Sequence, residues 1–268
     1  MKQFNNANLQ WIEKTNDRNN LALGDDLDSL ISCNLLQHIT GGKWDINYYY
    51  DFNNFYKETD NDINGLIGVD MAFTKNIRTF DNHLTDNKNK LAMNYNNIKH
   101  IFKSEYYKKY PFSTLLTIMS VYDIPLPDSK EGKILLLSID TAFKGHYASK
   151  KIYTDIHNNW LETLGYSELI DILEEKESSY FYNIINHFKL NSSIWICENG
   201  QLDTEIKINS LNNYFDYNIE LPQQEFKLVK ELERDGHLIG EKDLPMRDRL
   251  ISLAYTSKNY VSYTYDAS

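Results

Sequence analysis

Three short apolar runs in the first third of the chain each end in a carboxylate. "NLALG" at 20–24 leads into Asp25, Asp26 and Asp28, "GLIGV" at 65–69 into Asp70, and "IRTF" at 77–80 into Asp81. The first run is followed by "LDSLISCNLLQHITGG", where Leu27, Leu30, Ile31, Leu35 and Leu36 recur at helical spacing and Gly41 and Gly42 supply a C-cap. The aromatic "WDINYYYDF" at 44–52 reads as a further strand. Strands that alternate with helices favour a parallel sheet whose faces the helices cover. The expected fold class is therefore α/β: a largely parallel sheet flanked by helices, with a smaller mixed α/β C-terminal region. Helices dominate 158–189, after which "SIWICENG", "EIKIN" and "LISLAY…NYVSYTY" read as strands, and Asp235-Gly236-His237 as a turn. This texture places one domain over 1–155 and a helical segment with a reduced β-containing domain over 156–268. "SKEGKILLLSIDTAF" suits either a strand or a buried helix by pattern alone.

In an open parallel sheet, ligands sit beyond the carboxyl ends of the strands. If the three acid-tipped strands are neighbours, their carboxylates converge and repel unless protons or cations lie between them. Oxygen ligands with an imidazole suit Mn²⁺ or Mg²⁺. The simpler alternative is local. Asp25, Asp26 and Asp28 stand where helix caps stand, Asp70 can be a solvated loop residue, and His83 a satisfied surface or core histidine.

The order of the segments "DDLDSLIS", "GVDMAF", "FDNHLT" and "SIDTAF" resembles the four motifs of the DHH phosphoesterase superfamily, over about residues 20–145. That superfamily includes oligoribonuclease- and exonuclease-like phosphodiesterases and manganese pyrophosphatases. The resemblance implies metal ligation by Asp26, Asp28, Asp70 and Asp140, with Asp70 bridging and one or two Mn²⁺ (or Mg²⁺) ions bound. It implies that Asp81 orients the site and that His83 faces the substrate phosphate as a catalytic residue. It also implies a helix through "KILLLSIDTAF". Two departures stand out. Asn82 occupies the position of a metal-ligating histidine, and Ala22 and Gly24 stand where a further ligand often precedes the first motif. The glycine-rich signature of the family's second domain is absent, although "DRLISLAYTSKNYVSYTYDAS" resembles the opening hairpin of that domain.

Lys144 and His146 follow the fourth motif directly and, with Arg78, are candidates for substrate binding. Lys99, His100, Lys103, Lys108 and Lys109 form a basic stretch that suits either a phosphate path or a solvated face. Phe143 and Tyr147 suit base stacking or, more commonly, packing. Ser113 and Thr114 suit a helix N-terminus that caps or holds a phosphate. The net charge of −10 disfavours long duplex nucleic acid, which rewards many Lys and Arg, but admits a small phosphorylated substrate or short nucleic acid held with metal ions. No apolar run approaches a membrane span, the N-terminus lacks a signal-peptide pattern, and Cys33 and Cys197 form no CxxC motif. A cytoplasmic location is expected. No nucleophile elbow or Cys-His pairing points to covalent catalysis. The expected function is a metal-dependent phosphoesterase acting on a small phosphodiester such as a short oligonucleotide or dinucleotide. The alternative is a catalytically impaired module that binds a nucleotide or a protein.

Overall fold

The apolar runs become strands buried on both faces. In the computed structural model, which describes residue 2 and residues 6–58 and 65–267, they form β1 (Asn19–Leu23), β4 (Leu66–Val69) and β5 (Arg78–Phe80). With β2 (Trp44–Tyr50), β3 (Asn54–Glu58), β6 (Ala92–Met93) and β9 (Phe226–Glu231) they make a seven-stranded sheet in the order β6-β5-β4-β1-β2-β3-β9. The five strands from β6 to β2 are parallel, and β3 and β9 add antiparallel to that edge. Leu21, Leu23, Ile67 and Val69 have no exposed surface. Each such side chain contributes roughly 1.5–3 kcal/mol when covered, which is why the runs are apolar at successive positions instead of alternating.

Helix α1 (Leu27–Thr40) crosses from β1 to β2 and closes at Gly41 and Gly42, both at positive φ, whose N–H groups bond back to His38 and Gln37. A short α2 (Tyr95–Ile98) precedes α3 (Thr114–Tyr122) and α4 (Lys130–Ser138). Helices α5 (Lys151–Leu164), α6 (Glu168–Glu175) and α7 (Ser178–Phe188) pack on α3 and α4, and one apolar core runs from Leu9 to Phe226. The run "KILLLSIDTAF" is helical only to Ser138; a tight turn over Ile139–Thr141 follows.

Strands β7 (Ile194–Ile196) and β8 (Leu202–Thr204) form a hairpin. "EIKIN" is not a strand: Ile208 opens the single helical turn α8 (Ile208–Leu211), because Ile206 and Leu211 both turn inward to the core. Strands β10 (Glu233–Leu238), β11 (Leu250–Ser257) and β12 (Tyr260–Tyr265) form a smaller antiparallel sheet in the order β10-β12-β11. Asp235-Gly236-His237 lies inside β10, paired with Ser262 and its neighbours, so it is not a turn. At Gly236 a Cβ would lie 2.7 Å from the Tyr260 hydroxyl, so the Tyr260 ring packs over a position without a side chain. Strand β11 docks beside the large sheet, with Leu253 N–H on the Ala72 carbonyl and Tyr255 N–H on that of Leu84. Among the described residues, no helix is long and apolar enough to cross a membrane.

Candidate metal centre

Strand β1 has β2 on one side and β4 on the other, so the chain departs from it in opposite directions and a crevice opens at the carboxyl ends. Register sets what faces that crevice. Val69 pairs with Phe80, so Asp70 and Asp81 emerge side by side; Ala22 pairs with Gly68, so the 25–28 segment emerges next to them.

Asp26 is the N-cap of α1, its Oδ1 accepting the Ser29 N–H at 3.0 Å, and it lies exposed at the mouth of the crevice. That cap is worth about 1 kcal/mol. Asp28 is buried and does not cap its own helix. Its carboxylate accepts the N–H groups of Thr114 (2.7 Å) and Leu115 (2.9 Å) at the first turn of α3. Ser113 caps α3 through the Leu116 N–H. Thr114 then donates its hydroxyl to Asp70 Oδ1 at 2.7 Å, so one residue ties together the acids that follow β1 and β4.

The loop after β5 is held by asparagines. Asp81 accepts from His83 Nδ1 (2.8 Å) and from Asn94 Nδ2 (2.7 Å), and Asn94 also donates to the His83 carbonyl. Asn96 donates to the Asn82 carbonyl. Asn82 turns its amide nitrogen, not its oxygen, toward the site, donating to Asp140 Oδ2 (3.0 Å) and to the Phe112 carbonyl (3.1 Å). Asp70 (φ 62°), Asp140 (φ 50°) and Thr141 (φ 53°) are all in the left-handed region. For a β-branched threonine that is strained, of order 1–3 kcal/mol, and such strain persists where surrounding contacts over-determine it. Here His157 donates from Nε2 to the Ala142 carbonyl at 2.7 Å and pins the turn.

The carboxylates act on one another. Burial, then Asp70, Asp140 and Asp26, raise the Asp28 carboxyl well above its ordinary value, and burial and Asp26 do the same to Asp70. Burial and Asp26 lift Asp25 to about 6. Desolvation raises Asp140, against which His83, Lys109, the Asn82 amide and Lys144 pull it down. Burial works against a charged His83, but Asp81, Asp70 and Asp140 outweigh it and hold the imidazole up at about 10. So much like charge in one crevice is a standing cost that a cation relieves. Asp70, Asp81 and His83 offer ligand atoms all within 4.8 Å of one another, a group that could hold a metal ion.

The crevice thus brings together Asp26, Asp28, Asp70, Asp81, Asn82, His83 and Asp140. Lys144 faces the same side, lining a cavity of about 370 Å³ with Asn82, His83, Lys109, Asp140 and Tyr255. Arg78 is elsewhere. It is the first residue of β5 and donates to Asn19 Oδ1 at the amino ends of the strands, the opposite edge from the acids. His146 turns toward α5 and pairs with Asn158 at 3.0 Å. Phe143 and Tyr147 serve packing: Phe143 stacks on Phe181 at 4.8 Å, and the Tyr147 hydroxyl bonds the carbonyls of Leu173 and Lys176. Sequence reasoning missed Asn94, Asn96 and His157 as supports of the site. The "MNYNN" cluster was a usable signal, since several asparagines beside an acid motif can satisfy buried carbonyls and carboxylates. Comparison of the chain with models of protein families, with curated proteins and with solved structures finds no match.

Proposed function

We propose that this protein is a metal-dependent phosphoesterase of the DHH type, hydrolysing a small phosphodiester such as a short oligonucleotide or dinucleotide. The observation that supports it best is the meeting of Asp26, Asp28, Asp70 and Asp140 with His83 at the switch point of the sheet, although they come from four separate loops. The donor set, carboxylate oxygens of Asp26, Asp28, Asp70 and Asp140, fits Mn²⁺ or Mg²⁺. When bound, one or two such ions supply Lewis acidity toward the phosphate and an attacking water. Asp28 and Thr114 hold Asp70 in register, and Asn82 and His157 hold the turn that carries Asp140. His83 commits Nδ1 to Asp81, which leaves Nε2–H to donate to a phosphate oxygen as charge develops there. Asp81 fixes that orientation. The reading places the protein in the cytoplasm, in keeping with its two free cysteines.

A second reading is a binding module with a weakened site, and the Asn82 amide favours it, because an N–H aimed at Asp140 occupies a lone pair that a second cation needs. The two readings separate in one assay. Hydrolysis of bis-p-nitrophenyl phosphate and of a dinucleotide is measured with Mn²⁺, Mg²⁺ and no metal, for the native protein and for Asp70→Ala. Metal-dependent turnover lost in Asp70→Ala is the expected outcome. Full activity in Asp70→Ala rules out the mechanism, and nucleotide binding without turnover under every metal favours the second reading.

A further inference from the structure

The cavity beside the acids adjoins a second hollow of about 570 Å³, and the two share Lys109, Pro111, Lys144 and Gly145 as lining. Each volume is in the range of small-molecule sites. The second hollow has a different character: Tyr106, Tyr107, Tyr153 and Ile156 line it. Tyr107 is 46% and Tyr153 38% exposed, so aromatic surface faces solvent there, with Lys108 over the Tyr107 ring at 5.6 Å. Tyr106 is fixed, its hydroxyl donating to the Thr256 carbonyl at 2.8 Å. Two lysines line both hollows. Lys109 lies over the Tyr106 ring at 5.2 Å and Lys144 over the Tyr182 ring at 5.9 Å. Neither forms a salt bridge among the described residues, although the chain as a whole carries ten surplus negative charges. Gly145 lines both hollows and packs closely on His157, since a Cβ there would lie 2.4 Å from His157 Cδ2.

We infer that the tyrosine-lined hollow is a specificity subsite that takes a planar aromatic group carried on the phosphate, while Lys109 and Lys144 hold the phosphate between the two compartments. This rests on reading the carboxylate crevice as a phosphate-handling centre. The shared lining sets the order of the ligand: acids, then phosphate at the lysines, then ring. Lysines in no salt bridge among the described residues, with Asp140 as their nearby carboxylate, suit a dianionic or monoanionic phosphate, and tyrosine faces suit a nucleobase, whose stacking on an aromatic changes affinity by about tenfold to a hundredfold.

The test uses calorimetric binding of adenosine monophosphate and of ribose phosphate to the full chain, which needs no turnover. The expected result is that adenosine monophosphate binds at least about tenfold more tightly, and that Tyr107→Ala with Tyr153→Ala brings the ratio of affinities toward one. Both tyrosines are exposed, so their truncation leaves the fold intact. Lys109→Ala with Lys144→Ala is expected to weaken both probes in parallel and preserve the ratio. Equal affinity for the two probes, a ratio unchanged in the tyrosine variant, or undiminished ribose phosphate binding in the lysine variant overturns the inference. Absence of turnover with every divalent cation would remove the hydrolase reading while leaving the affinity ratio to decide the subsite.

Discussion

His157 is the most direct point at which to test how the site is supported. Its ring is 1% exposed, packs on Phe112 at 4.5 Å, and donates from Nε2 to the Ala142 carbonyl. Burial, opposed by that bond and by Asn158, pushes the imidazole down from 6.5 to about 4. The folded state therefore holds His157 neutral where the unfolded chain protonates it. The unfolded state binds more protons between those two values, so stability rises with pH across the window. The contribution is complete above about pH 6.5 and is lost as pH falls toward 4; the gap corresponds to about 3 kcal/mol. The perturbation is His157→Gln, which can keep an N–H on the Ala142 carbonyl but cannot titrate. At pH 7 it is expected to cost about 1–2 kcal/mol through imperfect packing and bond geometry. Urea unfolding of both proteins from pH 4 to 8 is the assay, read as the difference between the two curves so that carboxylates common to both cancel. The native protein should lose about 3 kcal/mol more than the variant over the window. Parallel curves would refute the argument, because they would mean that the imidazole is not held neutral by its surroundings.

Other outcomes follow from the same contacts. Gly145→Ala places a Cβ against the His157 ring and is expected to destabilise by about 1–3 kcal/mol, measured by thermal unfolding. Asn82→Ala removes the donor that holds Asp140; under the hydrolase reading Mn²⁺ affinity by calorimetry should fall by about tenfold to a hundredfold, as for other supports of ligating carboxylates, whereas a rise would mean that the amide blocks a cation, as the second reading has it. Unchanged affinity would detach Asn82 from the site. Mn²⁺ at about one hundred times its dissociation constant should stabilise the native protein by about 2.7 kcal/mol, and Asp70→Ala should abolish that shift.

The sheet was legible in the chain because its cause is local and repeated: apolar runs of strand length, a helical spacing between them, and glycines at the first helix end. The acids at the strand ends were legible for the same reason. Their identity as neighbours was not, since it depends on the order β5-β4-β1, which only packing chooses. Two residues show the limit clearly. Asp26 suited a cap or a ligand in sequence, and in the fold it caps α1 while also standing at the crevice mouth, so the alternatives do not exclude one another. Asp28 suited a cap of its own helix, yet its hydrogen bonds go to α3, eighty-six residues away. Arg78 was a candidate for substrate binding, but its position at the start of β5 sends it to the far edge. "EIKIN" alternated like a strand and leads into a helical turn because its own Ile206 and the nearby Leu211 both enter the core.

What the sequence determined alone was the supply of parts: buried strands, their order along the chain, and carboxylates at their ends. What the tertiary structure decided was which parts touch. The choice of strand neighbours, the helix α3 that reaches back to Asp28 and Asp70, and the strained turn that brings in Asp140 are long-range arrangements. Their free energy comes from burial and hydrogen bonds between segments that no local pattern relates.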